Sequence, residues 1–480
     1  DLDASPSMLE WTINAYVLSF AVLIMLGGKL GDRFGRKLMF LVGLAIFTGM
    51  SVACALAPSI EWLVAFRTGQ GVGGALMNPL TLSIIVAAFP RRELGTAIGI
   101  WAGISALALA IGPVLGGVLV QHVSWSAIFW INVPVGLVGA AVTVWAVRES
   151  RDPTSFTLDL PGVGLITAGL FFLVWGLIET NDHSWTSAYT LGFLGAAAVT
   201  LAAFVWWEAR TANPMVPLEF FRTAAFSAPV VLVAFVGLAL FGVVYFITLY
   251  FQNVKGWSPQ KSGVAALPLT GMVMLVGPMA GTLQSRFTPR QLMTTGMLML
   301  SGGLLGLSQL QVDSSYNSIW PFYVLMGVGL ACTMPTTSAT AMAAVDPRKA
   351  GVASGVVNAA RQVGAAVGLA VLGAVGATLA SSSWQDDVAQ LPPAARGPAS
   401  ALEELVIGGQ GRVVGTIAGP EAQQRALEAF VTGVQGAMWV GAALTFAAAM
   451  TAFIGLRGTP SPRNTERPAD AHPPVESASV

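Results

Sequence analysis

Charged side chains are scarce in this sequence. Lys and Arg number 24, Asp and Glu also number 24, and together they make up 10% of the 480 residues, whereas soluble domains carry roughly 25%. The two signs cancel to a net charge of zero, which excludes the basic field that a nucleic-acid-binding protein needs. With 54% apolar residues and a mean hydropathy of +0.70, the composition indicates a protein of the lipid bilayer. We expect membrane lipid, and no nucleic acid, as its surroundings.

Cysteine and histidine are also rare. Cys54 and Cys332 each lie inside an apolar run, and the three histidines, His122, His183 and His472, do not cluster with them. This spacing favours neither a disulfide framework nor a zinc site. An enzyme acting within the membrane would need a cluster of His, Cys or acidic residues. We therefore expect no metal, no cofactor and no enzymatic activity.

Long apolar runs are abundant. A membrane-spanning helix needs about 20 mostly apolar residues, because a rise of about 1.5 Å per residue has to cover roughly 30 Å of hydrocarbon. The pattern predicts an all-α polytopic membrane protein with thirteen spans. The predicted spans are 9–28, 38–57, 61–89, 94–120, 126–147, 161–179, 187–207, 226–250, 262–284, 291–310, 320–343, 350–380 and 427–456.

The distribution of Lys and Arg between the loops predicts the orientation. Short cytoplasmic loops retain these residues, and 17 of the 24 lie in one alternating set of loops together with the C-terminal tail. We therefore expect the C-terminus in the cytoplasm. With thirteen spans, Asp1 would lie outside the cytoplasm.

This odd number of spans suggests a further helix upstream of Asp1. Residues 1–8 have the character of an external loop that follows an earlier span. We expect fourteen spans in the intact protein, with both ends in the cytoplasm. A cleaved secretory signal is the alternative explanation of this beginning.

The spans form an internal duplication. Five small residues near 95–117 recur 256 positions later, and Gly28, Leu30, Arg33 and Phe34 recur as Gly281, Leu283, Arg286 and Phe287. Chance matching of small residues is the alternative, since such residues are common where membrane helices pack. The repeat predicts helix bundles at 9–147 and 226–456 with two linking helices at 161–207 between them. Polar composition predicts an extracytoplasmic loop at 381–426, and a Pro/Ser-rich composition predicts a disordered tail at 457–480. Two such repeats are typical of carriers that expose a central site alternately to each side.

The predicted loop after the first span reads GGKLGDRFGRK. Glycines permit close approach of backbones, and a carboxylate is stabilised at a helix N-terminus. A loop that merely follows the positive-inside rule is the alternative, but it would not need this glycine spacing. We interpret the segment as a conformational latch made of Gly27, Gly28, Gly31, Asp32, Arg33, Gly35 and Arg36.

Two further spans carry unusual residues. Arg67 and Gln70 lie inside the third span, where a cation costs at least about 2.5 to 3.5 kcal/mol unless it finds a partner or a cavity; snorkelling towards the nearby helix end is the alternative. The fourth span is rich in small residues around a proline, which favours a flexible, tightly packed seam over ordinary helix packing. The residues of this seam are Gly99, Ala108, Gly112, Pro113, Gly116 and Gly117.

Together these motifs resemble the major facilitator superfamily, and within it the fourteen-span drug:proton antiporters of the EmrB/QacA type. The resemblance implies that Arg67 and Gln70 take part in proton coupling, that the seam is the antiporter motif of exporters, and that a proton gradient drives the protein. It also implies an acidic residue on the upstream helix, because the predicted spans hold no Asp or Glu near their middles. Ser285 and Thr288 depart from the latch pattern in the second repeat, so we expect that latch to be degenerate.

The resemblance implies an exporter of small lipophilic or amphipathic compounds in the bacterial cytoplasmic membrane, acting as a monomer. A facilitator or importer, and an exporter of an endogenous metabolite or lipid, are the alternatives. Polar side chains on helices expected to face a central cavity are candidates for substrate contact. These candidates are Asn14, Tyr16, Tyr245, Asn358, Arg361 and Gln362.

Overall fold

The computed structural model describes residues 6–90, 93–151, 159–178, 186–212, 214, 216–346, 349–390 and 401–457, and these contain helices and no strand. In chain order the helices are α1 Pro6–Phe34, α2 Arg36–Ala55, α3 Ile60–Ala88, α4 Leu94–His122, α5 Ala127–Trp130, α6 Asn132–Ala146, α7 Leu160–Ile178, α8 Ala188–Glu208, α9 Ala224–Leu249, α10 Pro259–Ala265, α11 Leu267–Val276, α12 Ala280–Arg286, α13 Pro289–Leu307, α14 Trp320–Ala343, α15 Ala350–Gln390, α16 Glu403–Ile407, α17 Gly411–Ala418 and α18 Pro420–Gly455. A π-helical turn, Tyr250–Val254, extends α9.

The helices agree with the predicted all-α membrane fold. Within the described residues, ten helical stretches are long and apolar enough to cross a membrane: α1, α2, α3, α5 with α6, α7, α8, α9 with its π turn, α14, α15 and α18. The other three predicted spans correspond to α4, to α10–α12 and to α13. The all-α fold is confirmed, and the number of crossings stays a prediction.

Two predicted boundaries differ from the structure. The segment 27–37 is not an open loop, because α1 continues to Phe34 and the chain leaves helical geometry only at Gly35. Packing against neighbouring helices overrides the low helix propensity of its glycines. The segment 381–426, predicted as an extracytoplasmic loop, is also largely helical where described, since α15 continues to Gln390 and α18 starts at Pro420.

The two halves of the protein share a hydrophobic core at one end of the bundle. A cluster of buried side chains joins α1, α3 and α7 to the end of α14 and the beginning of α15, with Ile24, Ala353 and Ala341 fully buried. We call this end the Asp32 end; the sequence predicts that it faces the cytoplasm. A second, larger cluster lies within the C-terminal half, among α9, α11, α13, α14 and α18.

Candidate functional site: a latch between the halves and a central cavity

Asp32 connects the two halves. Its carboxylate accepts hydrogen bonds from the backbone N–H groups of Gly351 at 3.1 Å and Val352 at 2.9 Å, in the first turn of α15. The first N–H groups of a helix have no partner within the helix, and its dipole favours a negative charge there. Asp32 is 2% exposed. This arrangement is an anion bound at a helix N-terminus, with the anion supplied by the other half of the protein.

Arg36 completes the charge balance of this site. Its Nε and Nη2 atoms donate to Asp32 Oδ1 at 3.0 and 2.8 Å, and Arg36 is itself 3% exposed. A buried carboxylate needs both an opposite charge and hydrogen bonds to offset its desolvation. Asp32 has both. Arg33, the other latch arginine, instead lies over the ring of Phe34 at 5.1 Å.

The latch glycines provide the close approach that the sequence predicted. A Cβ atom on Gly27 would collide with the carbonyl of Ala75 in α3, and one on Gly28 would collide with the carbonyl of Gly351 in α15. On Gly31 it would collide with the side chain of Leu80. Contact of backbones across these helices is what brings Asp32 within reach of α15.

Gly35 and Glu149 shape the turn between α1 and α2. Gly35 has φ of +115°, and a Cβ there would lie 2.7 Å from the carboxyl carbon of Glu149. The Glu149 oxygens accept the N–H groups of Lys37 and Leu38, both at 3.1 Å, at the beginning of α2. Sequence reasoning missed Glu149. The available signal was an acidic residue between Arg148 and Arg151 in a basic loop that faces a helix without its own capping side chain.

Arg67 lies in a network of uncharged groups. It donates to the Thr12 carbonyl at 2.8 Å and to Gln70 Oε1 at 2.6 Å, and its guanidinium is 4.4 Å from the centre of the Tyr16 ring. Gln70 in turn donates to Ser51 Oγ at 2.5 Å. Within the described part of the chain, no carboxylate is paired with Arg67. Its hydrogen bonds and the aromatic face therefore offset its desolvation.

The small-residue seam of α4 is packed along part of its length. A Cβ on Gly277 would lie 3.1 Å from the carbonyl oxygen of Gly99, which places α4 against the end of α11. Nothing lies within 4 Å of a Cβ placed on Gly112 or Gly116, and Ala108 is exposed. The side chain of Pro113 and the surroundings of Gly117 lie outside the described residues.

A cavity of about 710 Å³ lies between the halves. Its walls come from α1, α7, α9, α15, α16 and α18, and of the predicted substrate contacts Tyr16, Tyr245 and Gln362 line it. Aromatic side chains that sequence reasoning missed complete much of the lining: Phe20, Phe241, Phe246 and Phe430. No sequence signal separated these phenylalanines from ordinary core residues. The volume and the mixture of aromatic walls with a few polar groups are typical of small-molecule sites.

Two of the remaining predicted contacts, Asn358 and Arg361, lie outside the cavity lining. Asn358 is 2% exposed and donates to the Ser354 carbonyl at 3.0 Å. Arg361 donates to Asn358 Oδ1 at 2.6 Å, and neither residue is part of the cavity lining. The side chain of Asn14 lies outside the described residues.

The chain is similar in sequence and in fold to known proteins. The chain is 39% identical to the "Tetracenomycin C resistance and export protein" of Streptomyces glaucescens over 97% of this chain and 88% of that protein. It is 37% identical to "Multidrug resistance protein Stp" of Mycobacterium tuberculosis over 80% of this chain and 72% of that protein. Among solved structures, the human organic anion transporter MFSD10 (TETRAN) shares the fold with a TM-score of 0.57 and 14% identity, covering 92% of this chain and 83% of that one. The sequence profile of the Major Facilitator Superfamily matches residues 1–369, and the chain therefore belongs to this superfamily of membrane transporters.

Proposed function

We propose that the protein is a proton-coupled efflux transporter that exports small lipophilic or amphipathic compounds across a bacterial cytoplasmic membrane. The observation that carries this proposal is a cavity between the two halves, together with the buried Asp32 latch that joins the same two helices, α1 and α15, at one end of the bundle. The names of the relatives, an antibiotic export protein and a multidrug resistance protein, support the direction of transport.

The latch gives the alternating-access cycle a defined closed state. Opening the Asp32 end requires the carboxylate to leave the N–H groups of Gly351 and Val352. A hydrogen bond to a charged group typically contributes about 1.5 to 3 kcal/mol. Separation of Asp32 from α15 therefore has to be offset by substrate or proton binding that favours the open state.

Tyr16 provides a physical link between substrate and Arg67. The Tyr16 side chain lines the cavity, and its ring also lies against the Arg67 guanidinium. A substrate that displaces this ring would change the solvation of Arg67 and the hydrogen bond of Arg67 to Gln70. This supports a role for Arg67 and Gln70 in proton coupling, as expected for the fourteen-span drug:proton antiporters that the sequence resembles.

Transport in proteoliposomes tests this function. The full-length protein is reconstituted, a pH gradient is imposed, and the initial rate of ethidium transport is measured. We expect the gradient to drive ethidium against its own concentration gradient, and nigericin to abolish this by collapsing the pH gradient. Flux that only follows the ethidium gradient would indicate a facilitator, and no flux of any lipophilic dye would contradict the proposed function.

A further inference from the structure

A small helical cap covers the end of the bundle opposite Asp32. It is formed by α16 and α17, residues 403–418, which we call the outer cap. Its hydrophobic core includes Val406 and Val414, both 0% exposed, packed with Trp384 at the end of α15 and Ala422 and Ala426 at the beginning of α18. Burial of a large aromatic side chain against two short helices gives this segment a defined position rather than that of a free loop.

The outer cap is attached to α9, a helix that lines the cavity. In the π-helical turn that extends α9, Asn253 donates its side-chain N–H to the Gly408 carbonyl at 3.1 Å. Two residues beyond this turn, Gly256 has φ of +67°, and the Arg412 guanidinium occupies the space where a Cβ would stand. π-helical turns are rare and are found frequently at functional sites. The cap and the cavity wall are therefore mechanically connected.

The outer cap also reaches the cavity directly. Ile407, the last residue of α16, lines the cavity together with Phe430 of α18. The chain then turns at Gly409, where φ is +75° and a Cβ would lie 3.0 Å from the Phe430 ring. This turn and the Asn253 hydrogen bond fix the backbone that directly follows Ile407.

We infer that the outer cap forms the outer wall of the substrate cavity and that Ile407 is a specificity-determining residue, selecting bulky aromatic lipophilic compounds by the space it leaves opposite Phe430. This rests on the proposed function, because it names a further determinant of the same cavity. A hydrophobic wall discriminates substrates by size, and one methylene group is worth roughly 10- to 200-fold.

Two substitutions of Ile407 change the size of the cavity in opposite directions. Ile407→Trp fills space and Ile407→Ala creates it, while Ile417→Trp and Ile417→Ala are the matched controls. Ile417 belongs to the same cap but is 54% exposed. Efflux of ethidium and of the larger dye rhodamine 6G is measured in cells at equal membrane expression, and binding of both dyes is measured by fluorescence polarisation in nanodiscs.

We expect the ratio of rhodamine 6G to ethidium efflux to fall at least about fivefold in Ile407→Trp and to rise in Ile407→Ala, with both Ile417 variants within about twofold of wild type. An unchanged ratio in properly expressed Ile407 variants would overturn the inference, as would equal changes in the Ile417 controls. Dye binding that depends on Ile407 without any wild-type transport would contradict the proposed function alone. Failure of the wild type to bind either dye would overturn both.

Discussion

The two crossings between the halves of the protein share a repeated sequence but differ in chemistry. At the α1–α15 crossing, Asp32 is buried and bound to the N-terminus of α15. Its counterpart 253 positions later is Ser285, which is exposed and donates its hydroxyl to the Thr282 carbonyl of its own helix at 2.8 Å. The α4 crossing instead depends on the approach of Gly99 to Gly277.

The loops that follow the two crossings differ in the same way. Gly35 adopts φ of +115°. The N–H groups of Lys37 and Leu38, at the beginning of α2, donate to Glu149 from a distant loop. Its counterpart Thr288 has φ of −71° and forms a capping box with Gln291 within α13. The first loop therefore depends on tertiary contacts, whereas the second is locally self-sufficient. The comparison teaches that both crossings depend on close backbone packing, whereas Asp32 is a buried carboxylate at a helix N-terminus and its counterpart Ser285 is exposed.

The largest expected effect comes from removal of the buried charge at the α1–α15 crossing. Asp32→Asn removes one partner of the buried Asp32–Arg36 ion pair, a change that typically costs about 3 to 5 kcal/mol. We expect the initial rate of ethidium efflux to fall at least about tenfold at equal expression, since each 1.36 kcal/mol is a factor of ten. Ser285→Asn is the matched control and should stay within about twofold. Undiminished efflux in Asp32→Asn would remove the latch role.

Gly28→Ala breaks the same crossing through packing instead of charge. The added methyl group would collide with the Gly351 carbonyl, whereas the same substitution at Gly49 in α2 meets nothing within 4 Å. We expect efflux to fall about three- to tenfold in Gly28→Ala, since overpacking typically costs about 1 to 3 kcal/mol. Gly49→Ala should behave as wild type. Equal efflux by Gly28→Ala and its control would show that α1 and α15 can move apart at this crossing without loss of the Asp32 latch.

Gly35→Ala compares the two loops. A non-glycine residue at this φ costs of order 1 to 3 kcal/mol, and the new methyl group would also press against Glu149. Thr288→Ala, by comparison, removes only a helix cap, which typically costs about 1 kcal/mol. We therefore expect Gly35→Ala to lower the melting temperature of the detergent-purified protein more than Thr288→Ala does. The reverse order would contradict the tertiary dependence of the first loop.

The smallest effect is expected from restoring the missing carboxylate. Ser285→Asp places an acid at the position equivalent to Asp32, but that position is exposed, and surface charges contribute about 0 to 1 kcal/mol. We expect efflux and melting temperature close to those of wild type. A stabilisation of several degrees would show that one residue is sufficient to form a second latch.

Much of the fold and part of the site could be predicted from the sequence. Apolar runs indicate membrane helices directly, and the glycine spacing around Asp32 indicates close packing and a bound helix N-terminus. Sequence reasoning could not identify α15 as the helix that Asp32 binds, nor Glu149 as the acid that holds the first loop. Both contacts join segments more than 100 residues apart, and no local pattern specifies such pairs.

The sequence also could not predict which face of a helix lines the cavity. Asn358, Arg361 and Gln362 lie within one turn of α15, yet of these three only Gln362 lines the cavity. A helix that is apolar on all sides has no periodicity to indicate which face meets lipid, protein or a cavity. The sequence by itself determined that the chain forms membrane helices and places a carboxylate in a glycine-rich segment, because these follow from local hydropathy and backbone sterics. The tertiary structure alone decided which helices approach closely, where the outer cap sits and which side chains surround the cavity, because those depend on contacts between distant segments.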